Sequence, residues 1–335
     1  MKTIGLIAII IFGGLLLLAV LNTVAPTKTI FNPGDFEIVA AGVPKVIGET
    51  KDYERIFKDL KVAGISAFLA TFQFQEVPEP KSLGFEADFI PPCNPDDPGY
   101  RALRTSGMKL LVPGELLYRP DVEIPLAEDP LKKLIDCAGK EAIFGILSYD
   151  EPFFRDLFEP SKKLYKRVKE IDPTLPVFLV HGPVLAELGE NGTYRPITQD
   201  EVEFYLQEIK KYNSYADFIG FDVYPIPPDL ARNATPYSLL PADHRKAIAD
   251  HVRWLKENTG GKPYFIALQA FAYKDLGDEW LGKKTIDVYP TREELNDMVR
   301  IAKEGGVSKV IWWGQSLIKK SNLSFWNDVL EAGKQ

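Results

Sequence analysis

Eight short apolar runs, separated by amphipathic stretches, constrain this chain more than any other feature. They are 36–43 (FEIVAAGV), 65–72 (ISAFLATF), 109–113 (KLLVP), 143–149 (IFGILSY), 176–181 (PVFLVH), 217–224 (DFIGFDVY), 264–271 (YFIALQAF) and 309–313 (KVIWW). Near-continuous apolar runs suit strands buried on both faces, as in a parallel sheet. Between them, Tyr53, Phe57 and Leu60 share one helix face behind a Thr50 cap, and Leu164, Val168 and Ile171 share another. Ile248, Val252 and Leu255 mark a sixth helix. Thr198 with Glu201, and Thr291 with Glu294, have capping-box spacing, while Gly260-Gly261 and Gly305-Gly306 end helices. No linker or short repeat interrupts the series. Eight strand–helix units make an α/β fold of the (β/α)8 barrel type over residues 26–335, since a doubly wound sheet rarely runs to eight regular units.

The first 25 residues are set apart. Ile4 to Leu21 is apolar and uncharged, preceded by Lys2 as the one charge. As a helix rising ~1.5 Å per residue it reaches about 27 Å, near the ~30 Å hydrocarbon thickness of a bilayer. The segment is expected to be a signal-anchor or a cleaved signal peptide. Thr23-Val24-Ala25 followed by Pro26 is a poor cleavage site, which favours the anchor. Either way the body is expected outside the cell, on the extracellular face of the membrane or secreted. Sequons at Asn191, Asn233 and Asn322 agree with export, although each is near chance frequency. Cys93 and Cys137 form either one disulfide or two buried thiols.

Composition narrows the chemistry. A net charge of −7 and no Lys/Arg run argue against a nucleic-acid partner. Three histidines and two cysteines leave no zinc-hydrolase ligand set, so no metal is expected. No lysine falls at a strand end where a Schiff base would form, and no glycine pair resembles a phosphate grip, so no organic cofactor is implied either.

Barrel enzymes work from the C-terminal ends of their strands. Those ends carry, in order, Gln73 and Gln75, Glu115, Asp150-Glu151, His181, Asp222 with Tyr224, Gln269, and Trp312, Trp313 and Gln315. Glu151, in Ser148-Tyr149-Asp150-Glu151-Pro152, is the leading catalytic candidate. A carboxyl at the rim of an apolar barrel should have a raised pKa, which suits a general acid. Alternation should send Asp150 and Glu151 to opposite faces. Asp222 sits inside an apolar strand and needs a reason to be there; it and Glu115 are the candidates for a second carboxylate. Each has a bland alternative: a helix cap or ion pair for Asp150 and Glu151, a structural hydrogen bond for Asp222, a solvated loop for Glu115. Tyr149, Tyr224, Trp312 and Trp313 offer flat rings for a sugar face, although one of the two adjacent tryptophans must pack against the helix layer. Asp150, Gln269, Gln315 and His181 supply hydrogen bonds suited to hydroxyls. Loop 272–290, with Tyr273 and Trp280, is placed to wall the cleft.

These motifs resemble the clan A glycoside hydrolases, which carry Asn-Glu-Pro or a variant at the end of strand four, its Glu being the acid/base. Asp150-Glu151-Pro152 matches that place, Trp312 or Trp313 the sugar-lining tryptophan of strand eight, and Tyr224 the aromatic of strand six. The resemblance spans roughly residues 36–330. It breaks at strand seven, where the clan has a nucleophilic Glu and this chain has Gln269; an amide cannot form the glycosyl ester.

The expectation is therefore an exported, membrane-tethered glycoside hydrolase acting on an extracellular or envelope polysaccharide. Glu151 is the acid, with Asp222, or failing that Glu115, as the second carboxylate. The alternatives are a barrel that binds glycans without cutting them and a structural envelope protein. Oligomeric state is not set by the sequence.

Overall fold

The computed structural model describes residues 36–69, 73–76, 83–86, 94–120, 123–184, 187–188, 194–195, 197–228, 234–240, 242–276, 288–332 and 334. The chain divides into an N-terminal unit, Met1–Asn32, and a body, Pro33–Gln335. The apolar run 4–21, with its expected hydrophobic helix, lies outside the described residues, as do Asn191, Asn233, Cys93 and Trp280. Among the described residues no helix is long and apolar enough to cross a membrane.

The body is a closed barrel of eight parallel strands: β1 Glu37–Ala40, β2 Ile65–Leu69, β3 Lys109–Pro113, β4 Ile143–Leu147, β5 Val177–His181, β6 Phe218–Val223, β7 Tyr264–Gln269 and β8 Lys309–Trp313. Neighbours in sequence pair in space, and β1 closes the ring against β8, with Ala40 opposite Trp312. Among the described residues, eight helices of nine or more residues alternate with them: α1 Tyr53–Val62, α2 Pro98–Ser106, α3 Pro130–Ala138, α4 Phe158–Ile171, α5 Gln199–Tyr212, α6 His244–Asn258, α7 Arg292–Glu304 and α8 Leu323–Ala332. Both expected capping boxes form, at Thr198–Glu201 and Thr291–Glu294. The α1 cap is Asp52 rather than Thr50, whose hydroxyl instead bonds the Ile47 carbonyl. Two small antiparallel ribbons, Gln73–Glu76 with Leu83–Glu86 and Glu187–Leu188 with Tyr194–Arg195, were not anticipated; they place Gln73 and Gln75 beyond the barrel rather than at a strand end.

Side chains alternate between two apolar layers. Val39, Ala67, Leu111, Phe178, Phe218, Phe265 and Ile311 fill the barrel, while Ile38, Phe68, Leu110, Leu179, Phe221, Leu268 and Trp312 meet the helices. Inside, Phe178 stacks on Phe218 with centroids 4.6 Å apart. Below them Lys309 pairs with Glu37 and lies about 5 Å from the Phe144 and Phe218 rings. Cys137, on α3, is disulfide-bonded.

Two histidines are sealed in the outer layer. His181 shares its Nε2 with the Asn213 side chain at 2.8 Å, and His251 its Nδ1 with the Ala247 carbonyl at 2.8 Å; the other ring nitrogen of each has no partner. Both rings pack on Phe221. Burial pushes both pKa values down to about 4, whereas the unfolded chain titrates near 6.5. The unfolded state then binds more protons below pH ~6.5, so stability falls as the pH drops from there to about 4, by on the order of 3 kcal/mol per histidine. Urea unfolding at pH 7 and pH 4.5 should show this loss, and His251→Gln should remove part of the difference. An unchanged pH dependence in that variant would contradict it.

Candidate active site

Beyond Leu147 the chain turns across the C-terminal rim through residues 148–157. The turn is closed by backbone bonds from Phe154 N–H to the Glu151 carbonyl (3.2 Å) and from Leu157 N–H to the Pro152 carbonyl (2.9 Å). Glu151 adopts φ +41° and Asp156 φ +51°, left-handed conformations that cost a non-glycine residue about 1–3 kcal/mol and persist where surrounding structure enforces them. Because Asp150 and Glu151 both stand past the end of β4, alternation no longer separates them, contrary to expectation. Asp150 and Glu151 both act electrostatically on Asp222.

Asp222 enters the same space from β6, pointing inward and 5% exposed. Its carboxyl is hydrogen-bonded to that of Glu151, and the Tyr224 hydroxyl donates to it. Burial raises the Glu151 pKa to about 8, with the Asp150 charge adding to the effect. Burial first, then Asp150 and Glu151, raise Asp222 well above the ordinary carboxylate range. Two carboxyls in contact cannot both ionise cheaply, so the pair titrates as a unit and holds a proton at neutral pH. Asp150 keeps contact with water. Enclosure by the surrounding protein on its other sides, and then Glu115, still raise its pKa to about 6.

Glu115 sits on the helical turn Gly114–Leu117 after β3. Its Oε1 accepts from the Asp150 N–H at 2.7 Å and from Arg155. This carboxylate fastens the turn that presents Asp150 and Glu151, so it is not a free second carboxylate. Sequence reading missed Arg155, whose only signal is its position four residues after Glu151. It also missed Gly182, which follows His181 at the end of β5: a Cβ there would fall 2.9 Å from the Glu151 carboxyl.

Opposite, rings form a wall. Trp313 stacks on Tyr224 at 5.4 Å and 24°, and Phe271 meets both edge-on at 5.3 and 5.2 Å. The Tyr273 hydroxyl donates to the Tyr224 carbonyl at 2.5 Å. Gly314, at φ +93°, passes so close to Phe271 that a Cβ would lie 2.4 Å from its ring.

Four other candidates turn away from this space. Trp312 is fully buried against the helix layer, as strand alternation requires of one of the two tryptophans. His181 points outward to Asn213, because β5 places it on the helix side. Gln315 is buried and donates to the Trp312 carbonyl at 2.8 Å. Tyr149 donates to the Tyr118 carbonyl at 2.9 Å. Gln269 does point inward, but its amide is taken up by the backbone. It accepts from Ile226 N–H at 2.9 Å and donates to the carbonyls of Ile226 (2.7 Å) and Phe271 (3.0 Å). Among the described residues no group of His, Cys, Asp or Glu is arranged to hold a metal ion.

No family model matches the sequence, and no curated protein matches it. Solved structures do share its fold. A Bacteroides thetaiotaomicron protein assigned as an alpha-L-fucosidase superposes over 92% of this chain and 99% of its own, at 13% identity and a TM-score of 0.54. A beta-galactosidase from Halorubrum lacusprofundi superposes over 89% of this chain and 57% of its own, at 11% identity and a TM-score of 0.54. Bacteroides uniformis beta-glucuronidase 2 overlaps 84% of this chain at 12% identity and a TM-score of 0.48; this chain spans about a third of its length, 31%. At such identities the likeness is one of fold: the chain is a (β/α)8 barrel, a fold it shares with these glycosidases.

Gln269 needs both its acceptor and its donor. Gln269→Glu would set a carboxylate against two carbonyls, and it is expected to destabilise the fold by roughly 1–3 kcal/mol. Thermal unfolding checks this; a variant as stable as the wild type would contradict the tethering role.

Proposed function

We propose that the chain is a glycoside hydrolase acting on an extracellular or envelope polysaccharide, with Glu151 as its general acid. The observation that carries the reading is the proton-sharing Glu151–Asp222 pair at the barrel mouth, set beside the Tyr224–Trp313 wall. A carboxyl that stays protonated near neutral pH can donate to a glycosidic oxygen. Tyr224 and Trp313 offer a face for the sugar while the carboxyls meet its hydroxyls. The (β/α)8 fold shared with glycosidases is consistent with this assignment, and the apolar run 4–21 supports export and tethering.

In this reading burial and the Asp150 charge keep Glu151 protonated, and Asp222, held protonated more strongly still, is its hydrogen-bonded neighbour. Its contact with Glu151 and Tyr224 leaves it no freedom to attack a sugar. The carboxylate with access to water is Asp150. Glu151 gives its proton to the leaving oxygen as the glycosidic bond breaks. Water adds to the anomeric carbon and gives its proton to Asp150, leaving two sugar fragments with a new reducing end. No metal or cofactor enters this scheme.

Residues 27–335 incubated with a panel of polysaccharides should release reducing ends, and Glu151→Gln should lower the rate by about 10²–10⁴-fold. Equal release from both would remove Glu151 from the mechanism; binding without release by the wild type would favour a glycan-binding barrel. The acid form of Glu151 is lost as the pH rises, so activity should decline through about pH 8. The same raised pKa values oppose folding at high pH, because the native state holds protons that the unfolded chain has released. Asp222→Asn should therefore be more stable than the wild type by on the order of 1–2 kcal/mol and unfold at a higher temperature, with the difference growing toward pH 9. Calorimetry across that range checks it.

A further inference from the structure

Phe154 is an aromatic side chain 53% exposed beside the acid. Exposed rings are common on protein surfaces and carry little meaning singly, but this one is held on several sides. One face lies parallel to Tyr205, with centroids 5.4 Å apart and planes 6° from parallel. Phe153 meets it edge-on at 5.7 Å and also packs on Tyr205 at 5.1 Å. Tyr205 in turn donates to the Gly182 carbonyl at 2.5 Å. The ring also occupies the notch left by Gly182, where a Cβ would fall 2.2 Å from it. The same Cβ position is 2.9 Å from the Glu151 carboxyl carbon. Two atoms at those distances from one point are at most about 5 Å apart, so the ring edge and the acid are immediate neighbours.

A buried layer of rings thus fixes an open ring next to the proton donor, on the β4–β5 side of the mouth. The Tyr224–Trp313 wall approaches the same carboxyl pair from the β6 and β8 side. A ring fixed in advance gives up little conformational entropy when a ligand covers it, which is how a stacking platform contributes affinity. We propose that Phe154 is a second sugar-stacking platform, so that a glycan of more than one sugar lies across the Glu151–Asp222 pair with one unit on Trp313 and the next on Phe154. The proposal rests on the glycoside hydrolase reading and deepens it: the substrate is a chain held on both sides of the cleaved bond, and Phe154 is a positioning residue.

The test measures binding by residues 27–335 of cello-, chito-, manno-, xylo- and maltohexaose and of the corresponding monosaccharides, by titration calorimetry. The Glu151→Gln background prevents turnover. For a hexasaccharide that binds, Phe154→Ala should weaken affinity about tenfold and Phe154→Trp should restore it, with the unfolding temperature of both variants near that of the parent. Monosaccharide binding should be insensitive to Phe154 and lost in Trp313→Ala. Hexasaccharide binding that depends on Trp313 and ignores Phe154 would overturn the platform while leaving the glycosidase reading intact. Failure of every sugar to bind would overturn both.

Discussion

The parallel ladder between β1 and β8 turns a row of strands into a ring, and the character of the rim follows from that closure. With Ala40 opposite Trp312, every strand points the same way, and all eight C-terminal ends emerge on one face. Inside the ring, Phe178, Phe218 and Phe265 leave little room, and Lys309 with Glu37 closes the lower end. Uncompensated polar groups would be costly among those rings, so the acidic side chains gather where the strands end and water begins. Asp222 marks the boundary: it is one residue from the end of β6, pointing inward, and its partners come from the turn after β4 and from Tyr224.

The carboxyl cluster works against the stability of the barrel that holds it. Burial disfavours the ionised forms of Glu151 and Asp222, and Asp150 adds a like charge. Glu151 also stands in a left-handed conformation. Folding is unhelped by any of these, and each is enforced by neighbours: Glu115 and Arg155 clasp the turn, and Gly182 leaves space for the acid. Local features that oppose folding but are held in place by the surroundings gather where a protein does chemistry. The histidines of the outer layer are a contrast. They are as deeply buried, but their rings lie among Phe221 and Trp254 and face no cleft.

Much of this architecture was legible in the residues because the barrel writes its pattern locally. Apolar runs mark strands buried on both sides, and capping boxes and glycine stops mark helix ends. All eight strands fall within the expected segments, with β3 and β8 at the same limits. The rim was legible only in part. Glu151, Asp222, Tyr224 and Trp313 share one space, since strand ends predict position. Alternation failed for Asp150 because β4 stops at Leu147, and a turn has no faces to alternate between. The roles of Glu115 and His181 depend on partners far off in sequence: Arg155 and the Asp150 amide, and Asn213. No spacing rule announces those. Gly182 and Phe154 matter through a shared gap of a few ångströms, which only coordinates reveal.

Gln269 turns an apparent defect into a constraint on mechanism. At this place on β7 the side chain must accept from one backbone N–H and donate to two carbonyls. An amide does both, and a carboxylate can do only the first. The residue thereby joins the β6 loop at Ile226 to the β7 end at Phe271, the ring that supports Trp313. A nucleophile there would break the tie that shapes the aromatic wall. Nor can the Glu151–Asp222 pair replace it, because carboxyls in hydrogen-bond contact are closer than the ~5–5.5 Å that separates an acid from a nucleophile in a retaining site. In the proposed reaction this leaves water as the attacking group.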